Sequence, residues 1–223
     1  MYTSTILKNV FDSLLAYYGP QHWWPADTPF EVMVGAILTQ NTAWTNVEKA
    51  IGGLREITDL SPDGILILPE AQLAKAIRPS GYFNQKAQRL KVFCRFLEKH
   101  DGNIDKMRSL PIQELRKQLL NLHGIGPETA DSILLYALGK PVFVVDAYTT
   151  RLCSRLGLTD GNESYDQVQA VFMENLNPDV KTYNEFHALI VQHGKTTCRK
   201  KSPLCKTCAL LELCVYGKAV ARG

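Results

Sequence analysis

At 223 residues and 25.0 kDa, the chain can build one substantial core or two small ones but not a multi-module machine. With 45% hydrophobic and 21% charged residues it is neither disordered nor fibrous, and no apolar run reaches the roughly 18 residues a membrane helix needs. A net charge of +3 does not by itself announce a nucleic-acid binder, and the opening residues lack a basic n-region and a small-residue cleavage site, so a cytoplasmic location with no membrane partner is expected.

Helical periodicity runs along the chain. Phe30, Val34, Ile37 and Leu38 predict a helix beginning near Phe30. Ala130, Ile133, Leu134, Ala137 and Leu138 predict another over 129–138, and Phe186, Leu189, Ile190 and His193 repeat the pattern. Breaks at Gly19-Pro20, Pro25, Pro29, Pro79 to Gly81, Pro111, Gly124 to Pro127, Gly139 to Pro141, Gly157 and Asn177-Pro178 divide the chain into about ten short helices, so an all-α fold is expected. The one strand-like run, Val142 to Val145, has no evident pairing partner and reads as an extended connector.

Three stretches carry chemistry. In Leu122-His123-Gly124-Ile125-Gly126-Pro127-Glu128-Thr129, two glycines one residue apart allow a tight turn, and Pro127 suits the first turn of the next helix. Backbone amides at such a turn form an anion site that can hold a DNA phosphate irrespective of base sequence, although glycine also ends helices for structural reasons alone. Asp146 then ends the apolar connector before a helix. It can cap that helix, and beside a phosphate grip its carboxylate could also stabilise a cationic sugar.

The third stretch begins at His193. Seven Lys and Arg face one acid, Glu212, so this segment holds +6 and the remainder of the chain −3. It also holds Cys198, Cys205, Cys208 and Cys214 in the spacing C-x6-C-x2-C-x5-C, while Cys94 and Cys153 stand alone as core residues. Four thiols so close together in a reducing compartment point to a metal centre, and spacing alone leaves zinc and iron–sulfur open. The interleaved basic side chains can offset thiolate charge and reach a phosphate backbone.

Taken in order, Leu122 to Gly126 with Thr129-Ala130, Val145-Asp146, and His193-Gly194-Lys195 leading into the cysteines, the sequence resembles the endonuclease III group of helix-hairpin-helix DNA glycosylases over almost its whole length. That resemblance implies two helical lobes with a DNA-binding cleft between them. One is a six-helix barrel over 22–140 with the helix-hairpin-helix at about 113–138, and the other is a cluster domain from 1–21 and 141–223. It also implies that the four cysteines ligate a [4Fe–4S] cluster, that His123, Gly124, Ile125, Gly126 and Thr129 hold DNA, and that Asp146 is catalytic. A monomer acting on double-stranded DNA that contains a damaged base is expected.

One departure bears on mechanism. Bifunctional members of the group carry a sugar-attacking lysine two residues after the second hairpin glycine, where this chain has Glu128. Without that amine no imine forms, so a monofunctional glycosylase is expected, with Glu128 beside Asp146 in the catalytic set. Lys195 is grouped with the base pocket, in a phosphate-binding or structural role rather than as a substitute nucleophile.

Within the group, His22-Trp23-Trp24-Pro25, the run Phe30 to Thr42, and Pro79 to Ala87 look most like the 3-methyladenine glycosylase branch. An N-alkylated purine is cationic, and Trp23, Trp24 and Trp44 could bind it by stacking and cation–π attraction worth roughly 0.5 to 2 kcal/mol per ring, or could be core. Gln40 or Asn41, with Tyr82, stand where relatives place the residues that fill the gap left by an extruded base. The alternatives are a glycosylase for uracil or thymine mismatches or oxidised pyrimidines, and a noncatalytic DNA-binding iron–sulfur protein.

Overall fold

The apolar spacing becomes helices almost throughout. A computed structural model describes residues 2–222, with thirteen α-helices and no β-strand among the described residues. The chain divides into two units, Met1–Trp23 with Pro141–Gly223, and Trp24–Lys140. The first unit opens with α1 (Tyr2–Tyr18). The second comprises α2 (Pro29–Leu38), α3 (Trp44–Arg55), α4 (Pro62–Ile67), α5 (Glu70–Ala76), α6 (Phe83–Glu98), α7 (Ile104–Ser109), α8 (Ile112–Leu120) and α9 (Pro127–Ser132), followed by a π-turn at Ile133–Ala137. The chain then returns to the first unit with α10 (Ala147–Leu156), α11 (Tyr165–Met173), α12 (Val180–Thr196) and α13 (Val215–Arg222).

Within the second unit α2 is the central element. Apart from Glu31 it is apolar, and it is buried from Phe30 to Leu38, against α3, α6, α9 and the π-turn. Thr28 starts it by accepting the Glu31 amide at 3.1 Å, with Pro29 at the first helical position. The number exceeds about ten mainly because the stretch between Pro29 and Pro79, which reads as continuous in sequence, holds four helices, with Pro62 beginning α4 and Pro69 preceding α5. The helix expected over 129–138 instead changes to π-type hydrogen bonding after Ser132.

In the first unit, α12 packs on α1 and α10. The approach of α12 to α10 is close enough that a Cβ on Gly194 would lie 2.4 Å from the Tyr148 ring. The run Val142 to Val145 is buried and lies outside any helix or strand. It has no ladder partner, and side chains from α11 satisfy its backbone: Gln169 Nε2 donates to the Phe143 carbonyl at 2.6 Å, and the Val145 amide donates to the Tyr165 hydroxyl at 3.3 Å. The Phe143 ring stacks on Phe172 at 3.9 Å between centroids.

Candidate functional site

In the unit Trp24–Lys140, α8 turns through Gly124 into α9. Gly124 has φ +82, a conformation that favours glycine, and a Cβ there would fall 2.3 Å from Arg89 Nε and displace that side chain. The Gly124 and Gly126 amides have no protein acceptor among the described residues, whereas the Ile125 amide donates to the Leu122 carbonyl at 3.1 Å. Ile125 itself is only 5% exposed, so its side chain anchors the turn in the core; His123 and Gly126 are exposed. A bidentate pair ties the two helices: Arg116 Nε and Nη2 donate to the Asp131 carboxylate at 2.8 and 3.1 Å, and Asp131 is fully buried.

Gln40 faces this turn. Its Nε2 donates to the Gly124 carbonyl at 3.0 Å and to the buried Thr129 hydroxyl at 2.9 Å, while its Oε1 accepts from Arg89. Gln40 and Thr129 therefore brace the hairpin from within. Asn41 and Tyr82 are instead exposed, Tyr82 by 65%, and both have left-handed backbones at φ +54 and +45. Glu128 is exposed in the first turn of α9.

The tryptophans separate into two groups. In the same unit Trp24 meets Trp44 edge-on at 5.0 Å and Tyr136 at 5.0 Å, and Gly35 lies beneath both indoles, where a Cβ would be 3.3 Å from Trp24 and 3.4 Å from Trp44. The π-turn carries Tyr136 to this cluster. Arg55 holds the preceding segment to α2 through Glu31 at 2.7 Å and through Asp27. Trp23 belongs to the other unit, where the Lys195 ammonium lies 5.6 Å from its ring.

In the unit that contains residues 141–223, Asp146 caps α10. Its Oδ1 accepts the Thr149 amide at 2.8 Å and the Thr149 hydroxyl at 3.0 Å, and its Oδ2 lies 3.6 Å from His187 Nε2. The side chain is 14% exposed. Burial pushes its pKa up, but the His187 and Thr149 interactions outweigh burial and hold it below the usual carboxylate range, so the group is ionised at neutral pH.

The same unit brings the four cysteines around one small cavity of about 20 Å³, with Leu152, Arg155 and His193 in its wall. Arg155 Nη1 lies 3.1 Å from the Cys198 sulfur, and the Leu210 and Gly217 amides donate to Cys208 and Cys214 at 3.4 and 3.2 Å. Burial raises the Cys208 and Cys214 thiols. Among the described residues no three ligating side chains are grouped closely enough to hold a single metal ion, but the four thiols line one cavity and the donors around the sulfurs are those that support thiolate charge.

Sequence reading missed Arg89, Arg116, Tyr136 and His187. Only His187 carried a local signal, as a titratable residue within the apolar run Phe186 to Val191.

The HhH-GPD superfamily base excision DNA repair protein model matches residues 34–178. MJ1434 of Methanocaldococcus jannaschii, provisionally named a DNA repair glycosylase, is 48% identical over 212 residues, covering 94% of this chain and 96% of that protein. A solved non-covalent endonuclease III–DNA complex superposes with TM-score 0.85 at 26% identity, covering all of both chains. The H. pylori 3-methyladenine DNA glycosylase MagIII, solved bound to 1,N6-ethenoadenine, superposes with TM-score 0.72 at 31% identity over 86% of this chain and 97% of that one. The chain therefore belongs to the HhH-GPD superfamily of base excision DNA repair proteins, as a DNA glycosylase.

Proposed function

We propose that this glycosylase is monofunctional and removes alkylated purines, 3-methyladenine foremost and 7-methylguanine with it, from duplex DNA, acting as a monomer. The reading is carried by an ionised Asp146 in one unit and, in the other, by a carboxylate, Glu128, at the sequence position where lyases of the group hold an amine. The half-buried aromatic cluster of Trp24, Trp44 and Tyr136 adds a surface suited to a flat cation. The 31% identity to a 3-methyladenine glycosylase supports the same substrate class.

The chemistry needs little from the base side. The C1′–N bond of an N-alkylpurine breaks with its electron pair going to the base, which leaves neutral. The sugar becomes an oxocarbenium ion stabilised by the Asp146 carboxylate, and water adds to C1′, releasing one proton to solvent. Glu128 cannot form an imine, so the strand stays intact. The Gly124 and Gly126 amides hold a backbone phosphate, with His123 beside them, while Asn41 and Tyr82 enter the duplex behind the extruded base. In the other unit, Trp23 and Lys195 form a cation–aromatic pair of their own.

Cys198, Cys205, Cys208 and Cys214 would hold a [4Fe–4S] cluster, which supplies a covalent cross-link within the C-terminal segment and keeps its basic side chains in place for DNA. Incubation with duplexes carrying methylated purines, uracil or oxidised thymine, with and without borohydride, tests the whole reading. Base release from the methylated purines with no strand cleavage and no trapped adduct is expected. Release from the neutral bases alone would overturn the substrate, and a borohydride-trapped adduct would overturn the monofunctional mechanism.

A further inference from the structure

Lys86 lies in the first turn of α6 and is 1% exposed. Its ammonium makes no ion pair among the described residues; instead Nζ donates to the Leu38 carbonyl at 2.8 Å and to the Ser80 carbonyl at 2.6 Å. An ammonium group buried without a counter-ion is expensive, and leucine or methionine would fill the same space at less cost. What lysine adds is a bridge between two carbonyls that are 42 positions apart in sequence.

Those carbonyls have distinctive neighbours. Leu38 is the last residue of α2, three before Asn41, and Ser80 closes the short turn two residues before Tyr82. Asn41 and Tyr82 are exposed and left-handed, conformations that cost a non-glycine residue on the order of 1 kcal/mol and persist only where the surroundings enforce them. Ser80 is itself fully buried, its hydroxyl donating to the Ile77 carbonyl at 2.8 Å, so its turn has a fixed base. Three residues along the same helix, Arg89 reaches Gln40 and packs on Gly124. One face of α6 thus ties together the end of α2, the Ser80–Tyr82 turn and the hairpin.

We infer that Lys86 is a positioning residue that sets the spacing between the Asn41 and Tyr82 turns, and through it their insertion into the duplex when a base is extruded. The inference rests on Asn41 and Tyr82 entering DNA, and is independent of which lesion is removed. Lys86 touches neither substrate nor reacting atoms.

The test uses the full-length protein and a duplex carrying a tetrahydrofuran abasic analogue with 2-aminopurine opposite it, whose fluorescence rises as side chains unstack the site. Lys91→Met is the matched control. Lys91 lies on the same helix and its ammonium also holds carbonyls, those of Ile65, Leu66 and Leu68 at 3.3, 2.8 and 2.6 Å, but it is tied to α4. Lys86→Met is expected to lower the fluorescence amplitude at saturating protein about fivefold with less than about threefold loss of duplex affinity, while Lys91→Met keeps the full amplitude; in an Asn41→Ala/Tyr82→Ala background Lys86→Met should add nothing. Should Lys86→Met not fold, Lys86→Gln, which retains one carbonyl bond, is expected to give an intermediate amplitude. Full amplitude in the folded Lys86 variant, equal losses in the Lys86 and Lys91 variants, or a further loss in the double-alanine background would overturn the inference. Full amplitude in the double-alanine protein itself would overturn it together with the insertion reading beneath it.

Discussion

Asp146→Asn separates the observed role of Asp146 as a helix cap from the electrostatic role that the proposed function gives it. Asparagine caps helices about as well as aspartate, so Asp146→Asn keeps an acceptor for the Thr149 amide at 2.8 Å and should change stability by less than about 1 kcal/mol. The negative charge is lost. For a carboxylate about 4 Å from a developing oxocarbenium ion, at the effective dielectric of about 20 that suits a partly buried site, the attraction is about 4 kcal/mol, which corresponds to roughly a thousandfold in rate. Single-turnover release of 3-methyladenine at saturating enzyme, alongside thermal melting, reads both quantities. Asp146→Ala should show the same rate loss and an additional stability loss of about 0.5 to 2 kcal/mol from the missing cap. An Asn variant that melts like the wild type and releases base within tenfold of its rate would refute the electrostatic role and leave Asp146 as a cap only.

Three other outcomes follow from packing and charge. Gly194→Ala drives a methyl into the Tyr148 ring between α10 and α12 and should destabilise by about 1 to 3 kcal/mol, measured by denaturant titration, with base release slowed as α10 shifts. Arg116→Met leaves the buried Asp131 carboxylate without its guanidinium and should cost about 3 to 5 kcal/mol, whereas Arg116→Met/Asp131→Leu should recover much of that loss; a double variant no more stable than the single one would contradict the pairing. Burial, with Arg89 adding to it, lowers Lys86 from 10.5 to about 8, so between those pH values the unfolded chain binds more proton than the native one and stability rises with pH, by up to about 3 kcal/mol. Below pH 8 the contribution is constant. The melting temperature of the wild type should therefore rise relative to that of Lys86→Met above pH 8 and not below it, and parallel curves to pH 10.5 would contradict the shift.

What the sequence made legible is what short-range chemistry dictates. Glycines that must turn, a proline that starts a helix, an acid before a helix and four nearby thiols announce themselves without knowledge of the fold, and the apolar face of α2 is visible in its period. The long-range partners were not legible. That Arg116 meets Asp131, Lys86 the Leu38 carbonyl and His187 the Asp146 carboxylate is decided only once the helices are packed. Gln40 shows the same limit from the other side: its position suggests a side chain directed at DNA, yet its amide is bound to the hairpin. The π-turn after Ser132 is invisible for a related reason, since an apolar repeat fits α and π spacing over so few residues.

The buried connector from Val142 to Val145 places a mechanical constraint on the residue it delivers. Clasped by Gln169 and Tyr165 and with Phe143 locked against Phe172, it behaves as a taut cord with no slack to absorb an inserted or deleted residue. A one-residue change of length would displace position 146 by up to about 3.3 Å, enough to spoil the aim of its side chain. Faults in the hydrophobic interior at Phe143 or Phe172 should therefore surface as faults in turnover, so that for this protein the integrity of a core and the aim of a carboxylate are inherited as one trait.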